Sequence, residues 1–409
     1  MRKQKILVQK YGGSSLAQPS QIRNIAKRIS ELHSGEYGLI IVVSAMGKTT
    51  DDLINLAYQV SPHPNRRELD MLTSTGERIA MSLMSMAIND RHCKSISLTG
   101  SQAGVLTDEA HSSARIVDLK PMRIESELNK NNVVVIAGFQ GVSPHSKEIT
   151  TLGRGGSDTT AVALAAYFKA ERCEILKDVA GVYSADPKLI KNTTQISHLH
   201  YLQLLDMTFW GAKVLHYRSV ELAYLLRVPL KIALSHDSTS TESTIIDGEA
   251  PMFEQARILS VNSHKEVRWV EIAKPDLNSA VQEFYSILKE ESLPTPQLLD
   301  TEKRITSYAI LITAPSEHLS SIMQACQKAQ RAHFDLGELS TVSVTCKGSF
   351  ASTLPEEMCS YLGRKKILIH KLFMSAMSIS MLVDTKDRER AIQGVHEMRD
   401  GAQSLETPN

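Results

Sequence analysis

Two glycine-rich turns hold most of the residues in this sequence that could do chemistry. The first is Lys10-Tyr11-Gly12-Gly13-Ser14-Ser15, fed by the apolar stretch Lys5–Gln9 and followed by a helical pattern that begins after Pro19. Glycines let backbone N–H groups close on an anion, and the N-terminus of a following helix adds partial positive charge. Lys10 puts a full charge where negative charge would move during a group transfer. The pattern is not the P-loop, whose lysine sits at the far end of the loop. The second turn, Gly153-Arg154-Gly155-Gly156-Ser157-Asp158, precedes the apolar helical run Ala161–Phe168. It is again suited to an anion, and Arg154 adds a planar, two-pronged grip on a carboxylate. Two anion sites in one domain fit a nucleotide in one and an acidic small molecule in the other.

Other segments belong beside these turns. Ser44-Ala45-Met46-Gly47-Lys48-Thr49-Thr50 follows a strand pattern and opens a helix, so its hydroxyls and backbone could face the same crevice. Gly76-Glu77-Arg78 opens another helix; Glu77 could pair with a substrate ammonium or serve only as a carboxylate at a helix N-terminus. Asp178 ends an apolar strand, and Tyr183-Ser184-Ala185-Asp186-Pro187-Lys188 makes a polar turn where a ribose and phosphates could lie.

The elements that must position these residues are legible in outline. Lys5–Gln9, Leu39–Ser44, Ser95–Thr99, Val133–Gly138, Cys173–Asp178 and Leu230–Leu234 read as Val/Ile/Leu-rich strands of a mainly parallel sheet covered on both faces. Between them, Ile22, Ile25, Ala26 and Ile29 recur at helical spacing, as do Ile79, Leu83, Met86 and Ala87. Residues 235–248 have the Ser/Thr/Asp/Gly composition of a linker, which predicts a boundary near Ala250. Beyond it, strand patterns at Ile258–Val261, Glu266–Ile272, Tyr308–Thr313, Leu339–Thr345, Lys366–Phe373 and Ser378–Asp384 alternate with helical ones at Leu277–Lys289, Ser316–Ala332, Pro355–Leu362 and Thr385–Met398. That order predicts two small α+β repeats of the βαββαβ kind.

A chain of 409 residues exceeds what one core usually organises, so more than one domain is expected. The 46 basic against 45 acidic side chains leave no electrostatic footprint for nucleic acid or membrane. No run approaches the length of a membrane helix, and Ile6-Leu7-Val8 is too short for a signal-peptide core, which reads as a cytoplasmic protein. Cys93, Cys173, Cys326, Cys346 and Cys359 form neither a Cys-x-x-Cys pair nor a cluster with zinc spacing; they are expected as buried free thiols, and no metal site is predicted from protein ligands.

Taken in order, these segments resemble the aspartate kinases of the amino acid kinase family. The resemblance rests on Lys10–Ser15, Ser44–Thr50, Gly76–Arg78, Thr151–Asp158, Lys177–Lys188 and Gly211-Ala212-Lys213-Val214-Leu215, and spans Lys10 to about Val228. It implies the amino acid kinase fold over residues 1–247 and transfer of the γ-phosphoryl of ATP, with Mg²⁺, to the side-chain carboxylate of L-aspartate. That is the first step towards lysine, threonine and methionine. The substrate carboxylate is its own nucleophile, ionised at neutral pH, so no Ser-His or Cys-His pair is needed. Carried over by position, Lys10 would stabilise the transferring phosphoryl group and Asp178 would act beside it. Gly12, Gly13, Ser14, Ser44, Lys177, Tyr183, Asp186, Lys188 and Lys213 would surround the nucleotide. Thr49, Thr50, Glu77, Arg154, Gly155, Gly156 and Ser157 would hold aspartate, with Arg154 on a carboxylate and Glu77 near the amino group.

The sequence departs from the family where Lys177 replaces a threonine beside Asp178. The C-terminal part lies where such kinases carry two ACT domains that bind lysine or threonine at a dimer interface. The resemblance implies ACT-like domains at 258–335 and 336–401, a homodimer, and pairing of the strand near Ile258 with C-terminal strands. Ala273-Lys274-Pro275-Asp276-Leu277 and Thr345-Cys346-Lys347-Gly348-Ser349-Phe350 lack glycines usual in the effector loops, whereas Met374–Ser380 follows the family's second-domain strand. Weak or absent inhibition by lysine and threonine is expected. An alternative reading is a catalytically weakened, ligand-sensing partner subunit.

Overall fold

A computed structural model describes residues 5–33, 37–236, 242–249, 258–291, 293–329, 332–334, 337–346, 353–375 and 377–403. The chain divides into two compact units. One comprises Met1–Tyr183, Gln195–Thr208 and Lys213–Pro251; the other comprises Ser184–Thr194, Phe209–Ala212 and Met252–Asn409.

The first unit is built on an eight-stranded sheet of order β12-β14-β13-β9-β1-β2-β6-β3. Its strands are β1 (Lys5–Tyr11), β2 (Tyr37–Val43), β3 (Ser95–Leu98), β6 (Val133–Ala137), β9 (Arg172–Lys177), β12 (His198–His200), β13 (Leu230–Leu234) and β14 (Ser243–Asp247). All neighbours run parallel except β13 and β14. The predicted sheet therefore forms, and β2 and β6 are buried almost end to end, as strands covered on both faces should be. One expectation fails: residues 235–248 are not simply a linker, because Ser243–Asp247 is the strand β14. Thr244 and Ile246 face inward there, and the β-branched run Thr244-Ile245-Ile246 favours a strand over a flexible connection.

Helix α1 (Pro19–His33) buries Ile22, Ile25, Ala26 and Ile29 against Leu7, Leu39, Ile41 and Val43, as its spacing predicts. Helix α4 (Thr75–Asn89) forms, but it lays a different stripe in the core. Ala80, Met81, Met84 and Ile88 are inside, whereas Ile79 and Met86 are 52% and 61% exposed. This helix is apolar on most sides, so periodicity alone does not choose its face.

A second sheet, order β5-β4-β7-β8, was not signalled by any long apolar run. It consists of β4 (Val105–Thr107), β5 (Ile116–Leu119), β7 (Gln140–Val142) and β8 (Ile149–Thr151). Helix α3 (Arg66–Thr73) pins it: the buried Asp70 carboxylate accepts from the N–H groups of Ser112 (3.0 Å) and Thr151 (3.1 Å) and from the Thr151 hydroxyl (2.5 Å). The remaining elements of this unit are α2 (Thr49–Val60), α5 (Met122–Asn129), α6 (Gly156–Tyr167), β10 (Val182–Tyr183) paired with β11 (Gln195–Ile196), α7 (Tyr201–Phe209) and α8 (Tyr217–Leu226).

The second unit contains two four-stranded antiparallel sheets. In one, β16 (Arg268–Ile272), β17 (Gln297–Lys303), β18 (Tyr308–Thr313) and β19 (Ala332–Phe334) carry α9 (Leu277–Glu290) and α10 (Ser316–Ala329). In the other, β20 (Leu339–Cys346), β21 (Ile369–Met374) and β22 (Ser378–Asp384) carry α11 (Leu354–Arg364) and α12 (Arg388–Gln403). The fourth strand of that sheet is β15 (Ile258–Asn262), which runs antiparallel to β20 although it precedes the whole of the other sheet in sequence. Ala273–Leu277 leads into α9, where the Asp276 carboxylate accepts from the Ser279 N–H at 2.9 Å. Positions 347–350 and 376, where the second and third ACT-type segments were read, lie outside the described residues.

All five cysteines are free, but Cys359 is exposed on α11 rather than buried. No helix among the described residues is long and apolar enough to cross a membrane.

Candidate active site

The C-terminal ends of β1, β2 and β9 gather most of the predicted residues of the first unit. Lys10, near the end of the central strand β1, is in register with Val42 of β2 and Ile175 of β9. Just past it the Gly12 N–H donates to the Leu176 carbonyl (3.2 Å), and the Ser44 N–H donates to the Tyr11 carbonyl (3.2 Å). The Gly47 N–H donates to the Gly13 carbonyl at 2.9 Å, which closes the first turn onto the segment Ser44–Thr50. A side chain at Gly13 would place its Cβ 2.7 Å from the Ala45 carbonyl oxygen, so the approach of these two loops requires glycine there. A short 3₁₀ turn, Gly13–Leu16, follows; Ser14 is exposed.

Lys10 is the buried cation of the site. Its ammonium lies 2.5 Å from Asp158 Oδ1, and both side chains are only 7% exposed. Asp158 stands in the first turn of α6, directly after the second glycine-rich turn, so this pair fastens one turn to the other. It is a site residue the sequence reading did not assign, although it was quoted within the motif. Beneath it, the Cys173 thiol is fully buried and its pKa is pushed up by desolvation and by the Asp158 charge.

Glu77 enters the same crevice from the first turn of α4. Its Oε1 accepts from the Ala45 N–H at 3.0 Å, and its Oε2 is buried with no hydrogen-bond partner among the described residues. Desolvation raises its pKa to about 7, opposed by the Ala45 hydrogen bond and by the Lys10 charge. A buried carboxylate oxygen without a donor fits an incoming ammonium. Gly76 packs on Ala45, and a Cβ there would lie 3.6 Å from the Thr49 methyl, which brings Thr49 to the same neighbourhood. The Thr49 hydroxyl donates to the Met46 carbonyl at 2.6 Å, and Thr50 follows it in the first turn of α2.

The second turn is shaped by two left-handed glycines, Gly153 (φ +74°) and Gly155 (φ +72°). Gly155 admits no side chain for a further reason: its Cβ would fall 2.1 Å from the Cβ of His216. Gly156 and Ser157 open α6 and are buried, whereas Arg154 is exposed. His216 caps α8; its Nδ1 accepts from the Arg218 N–H, and burial followed by the Arg218 charge lowers its pKa. Arg218 in turn donates to the Leu152 carbonyl (2.8 Å) and the Ala114 carbonyl (3.0 Å). Neither His216 nor Arg218 carries a sequence signal that distinguishes it from any other helix-opening residue.

Lys177, at the end of β9, is half-buried, and its ammonium donates to the Val214 carbonyl. Desolvation lowers its pKa, with the Lys10 charge adding to the effect and Asp158 and Asp178 opposing it. Asp178 and Lys213 are both exposed. Tyr183 ends β10, where burial and then the Glu242 charge raise its phenol pKa. Asp186 and Lys188 belong to the second unit; the Asp186 carboxylate accepts from the Lys188 N–H at 2.9 Å, and the segment is packed there through Leu189 and Ile190.

A family model described as the amino acid kinase family matches residues 5–233. The chain is 35% identical to the aspartokinase of Geobacillus stearothermophilus over 396 residues, covering 96% of each protein. It is 36% identical to the aspartokinase of Mycolicibacterium smegmatis over 405 residues, covering 96% of this chain and 95% of the other. Among solved structures, aspartate kinase from Synechocystis is 30% identical with a TM-score of 0.55, and the match covers 97% of this chain and 69% of that one. Escherichia coli aspartokinase III in complex with aspartate and ADP is 19% identical with a TM-score of 0.78, over 96% of this chain and 99% of that one, a likeness of fold.

Proposed function

This chain belongs to the aspartokinases of the amino acid kinase family, and on that premise we propose how its residues share the transfer of a phosphoryl group from ATP to the side-chain carboxylate of L-aspartate. The products are ADP and 4-phospho-L-aspartate. The observation that carries the reading is the convergence, in one crevice, of the buried Lys10 ammonium and the buried Glu77 oxygen that has no donor among the described residues.

Glu77 receives the substrate ammonium, which fixes the end of the molecule remote from the reacting carboxylate. Arg154 takes a carboxylate, and the backbone of Gly155, Gly156 and Ser157 at the start of α6 lines it, with Thr49 and Thr50 across the crevice. On the other side Gly12, Gly13, Ser14 and Ser44 hold nucleotide phosphates, with Tyr183 and Lys213 completing the nucleotide's surroundings. Lys10 meets the charge that develops on the transferring group; fixed by Asp158, it needs little reorganisation to do so.

The described residues hold no group of three His, Cys, Asp or Glu side chains able to cage a metal. Mg²⁺ commonly binds through one or two carboxylates plus substrate phosphates, and the exposed Asp178 fits that role. Held there, the ion would supply positive charge that offsets the charge of the phosphates.

The two small sheets of the second unit are ACT-like domains in this reading, at 258–335 and 336–401 with β15 completing the latter, and they pair two copies into a homodimer; light scattering on the purified protein tests that state. Use of ATP and a biosynthetic product argue for the cytoplasm. The central test is aspartate-dependent ADP release with hydroxylamine trapping of the acyl phosphate. Turnover with aspartate and not glutamate is expected. No turnover in folded protein would sink the proposal and favour a ligand-sensing partner subunit instead.

A further inference from the structure

Lys177 and Arg218 act on the same short segment from opposite ends. Lys177 is fixed on a sheet strand: β9 pairs with β1 and β13, and the Ser235 N–H donates to the Lys177 carbonyl at 2.8 Å. From there its ammonium reaches across to the Val214 carbonyl. Four residues later Arg218 sends two guanidinium nitrogens to the carbonyls of Leu152 and Ala114, at 2.8 and 3.0 Å. Leu152 immediately precedes Gly153. Midway, His216 lies directly over Gly155, so close that a Cβ on the glycine would overlap it.

The segment between these anchors is stiff. Leu215 is buried, the N–H groups of Ser219 and Val220 both donate to the His216 carbonyl, and the Ser219 hydroxyl donates to that carbonyl at 2.7 Å. A rigid piece of chain held to β9 at one end and to the glycine turn at the other transmits position, because neither end can shift without breaking a part-buried charge-assisted hydrogen bond. Both side chains are half-buried, so each anchor can be removed by mutation on its own.

We propose that Val214–Arg218 is a strut setting the Gly153–Ser157 backbone relative to β9, and that Lys177 and Arg218 are positioning residues pinning its two ends. This rests on the reading of Gly153–Ser157 as the aspartate-binding turn. It gives Lys177 a role that needs no contact with phosphate.

The test is amide hydrogen exchange on substrate-free protein, comparing wild type with Lys177→Met and Arg218→Met. Exchange at residues 154–157, relative to β2 as an internal reference, is expected to quicken about tenfold or more in each variant, because a local opening has become easier. The ratio remains readable if a variant loosens the whole unit, and Arg218→Lys, which keeps the charge with fewer donors, should fall between. Steady-state kinetics then separate positioning from ligation. The aspartate KM should rise about five- to twentyfold with the ATP KM within about twofold, and the double variant should be little worse than the larger single one. An unchanged exchange ratio in both variants overturns the strut, and so does an ATP KM that rises in Lys177→Met while exchange stays put. The exchange measurement needs no turnover, so it judges the strut even where an inactive wild type counts against the kinase reading.

Discussion

The two glycine-rich turns differ in how far they are prepared before any ligand arrives. At the turn after β1, the cation is already inside, paired with Asp158, and the loop is closed on Ala45 and Gly47 by close backbone contact. At the turn before α6, the backbone is equally constrained, by His216 and two left-handed glycines, but Arg154 is exposed. A preorganised charge acts on what forms during reaction, whereas a long exposed side chain loses rotamer freedom when it binds. The comparison therefore assigns rate to the first turn and affinity to the second.

Four measurements would break or sharpen that division. Lys10→Ala should lower kcat by about 10²–10³ with the aspartate KM within a few fold, since removal of one preorganised donor costs about that much. The change strands Asp158, a buried carboxylate, so Lys10→Met with Asp158→Asn is the companion: it should restore the unfolding midpoint without restoring kcat. Arg154→Ala should raise the aspartate KM about 10–100-fold and spare kcat, from the loss of a charge-assisted hydrogen bond. A reversal of these two patterns would exchange the roles of the turns.

The third measurement uses pH. With a Glu77 pKa of about 7, the carboxylate is mostly protonated at pH 6 and mostly ionised at pH 8. Only the ionised form pairs with an ammonium, so the aspartate KM should climb about tenfold as pH falls across that window, and Glu77→Gln should flatten the profile at a uniformly high KM. The same raised pKa means ionisation costs the fold, so stability from this group falls as pH rises from its ordinary value of 4.5 through about 7. The smallest effect is expected at Ser14: Ser14→Ala should change the ATP KM less than about threefold, because the hydroxyl is exposed and a glycine-rich turn holds phosphates through backbone N–H groups. A larger loss would mean the first turn grips by side chain as well.

The strands and the turns were legible because their signals are local. A Val/Ile run buried on both faces, or a glycine where a loop must touch backbone, is written in a few adjacent residues. Choices among equals were not. Helix α4 offers Ile79, Leu83 and Met86 on one stripe and Ala80, Met84 and Ile88 on the next, and only the shape of the neighbouring sheet and α1 decides between them. The strand Ser243–Asp247 was masked by its polar flanks. Within the site, Lys10 and Glu77 stood out by motif, whereas Asp158 as the partner of Lys10, and Val214 as the partner of Lys177, are pairings made by the fold across more than 30 residues of sequence.

Ser184–Thr194 has its packing in the second unit: Leu189 and Ile190 join the core of the sheet containing β15 and β20, Ser184 bonds to the buried His396 of α12 at 2.9 Å, and the Val261 N–H donates to the Ser184 carbonyl. The second unit is therefore not a detachable cassette. A gene shortened near codon 250 to free the enzyme from its C-terminal half would leave this segment with exposed apolar residues and an unsupported serine. Expression trials of such a fragment should meet insolubility, because these eleven residues would be left without their packing partners.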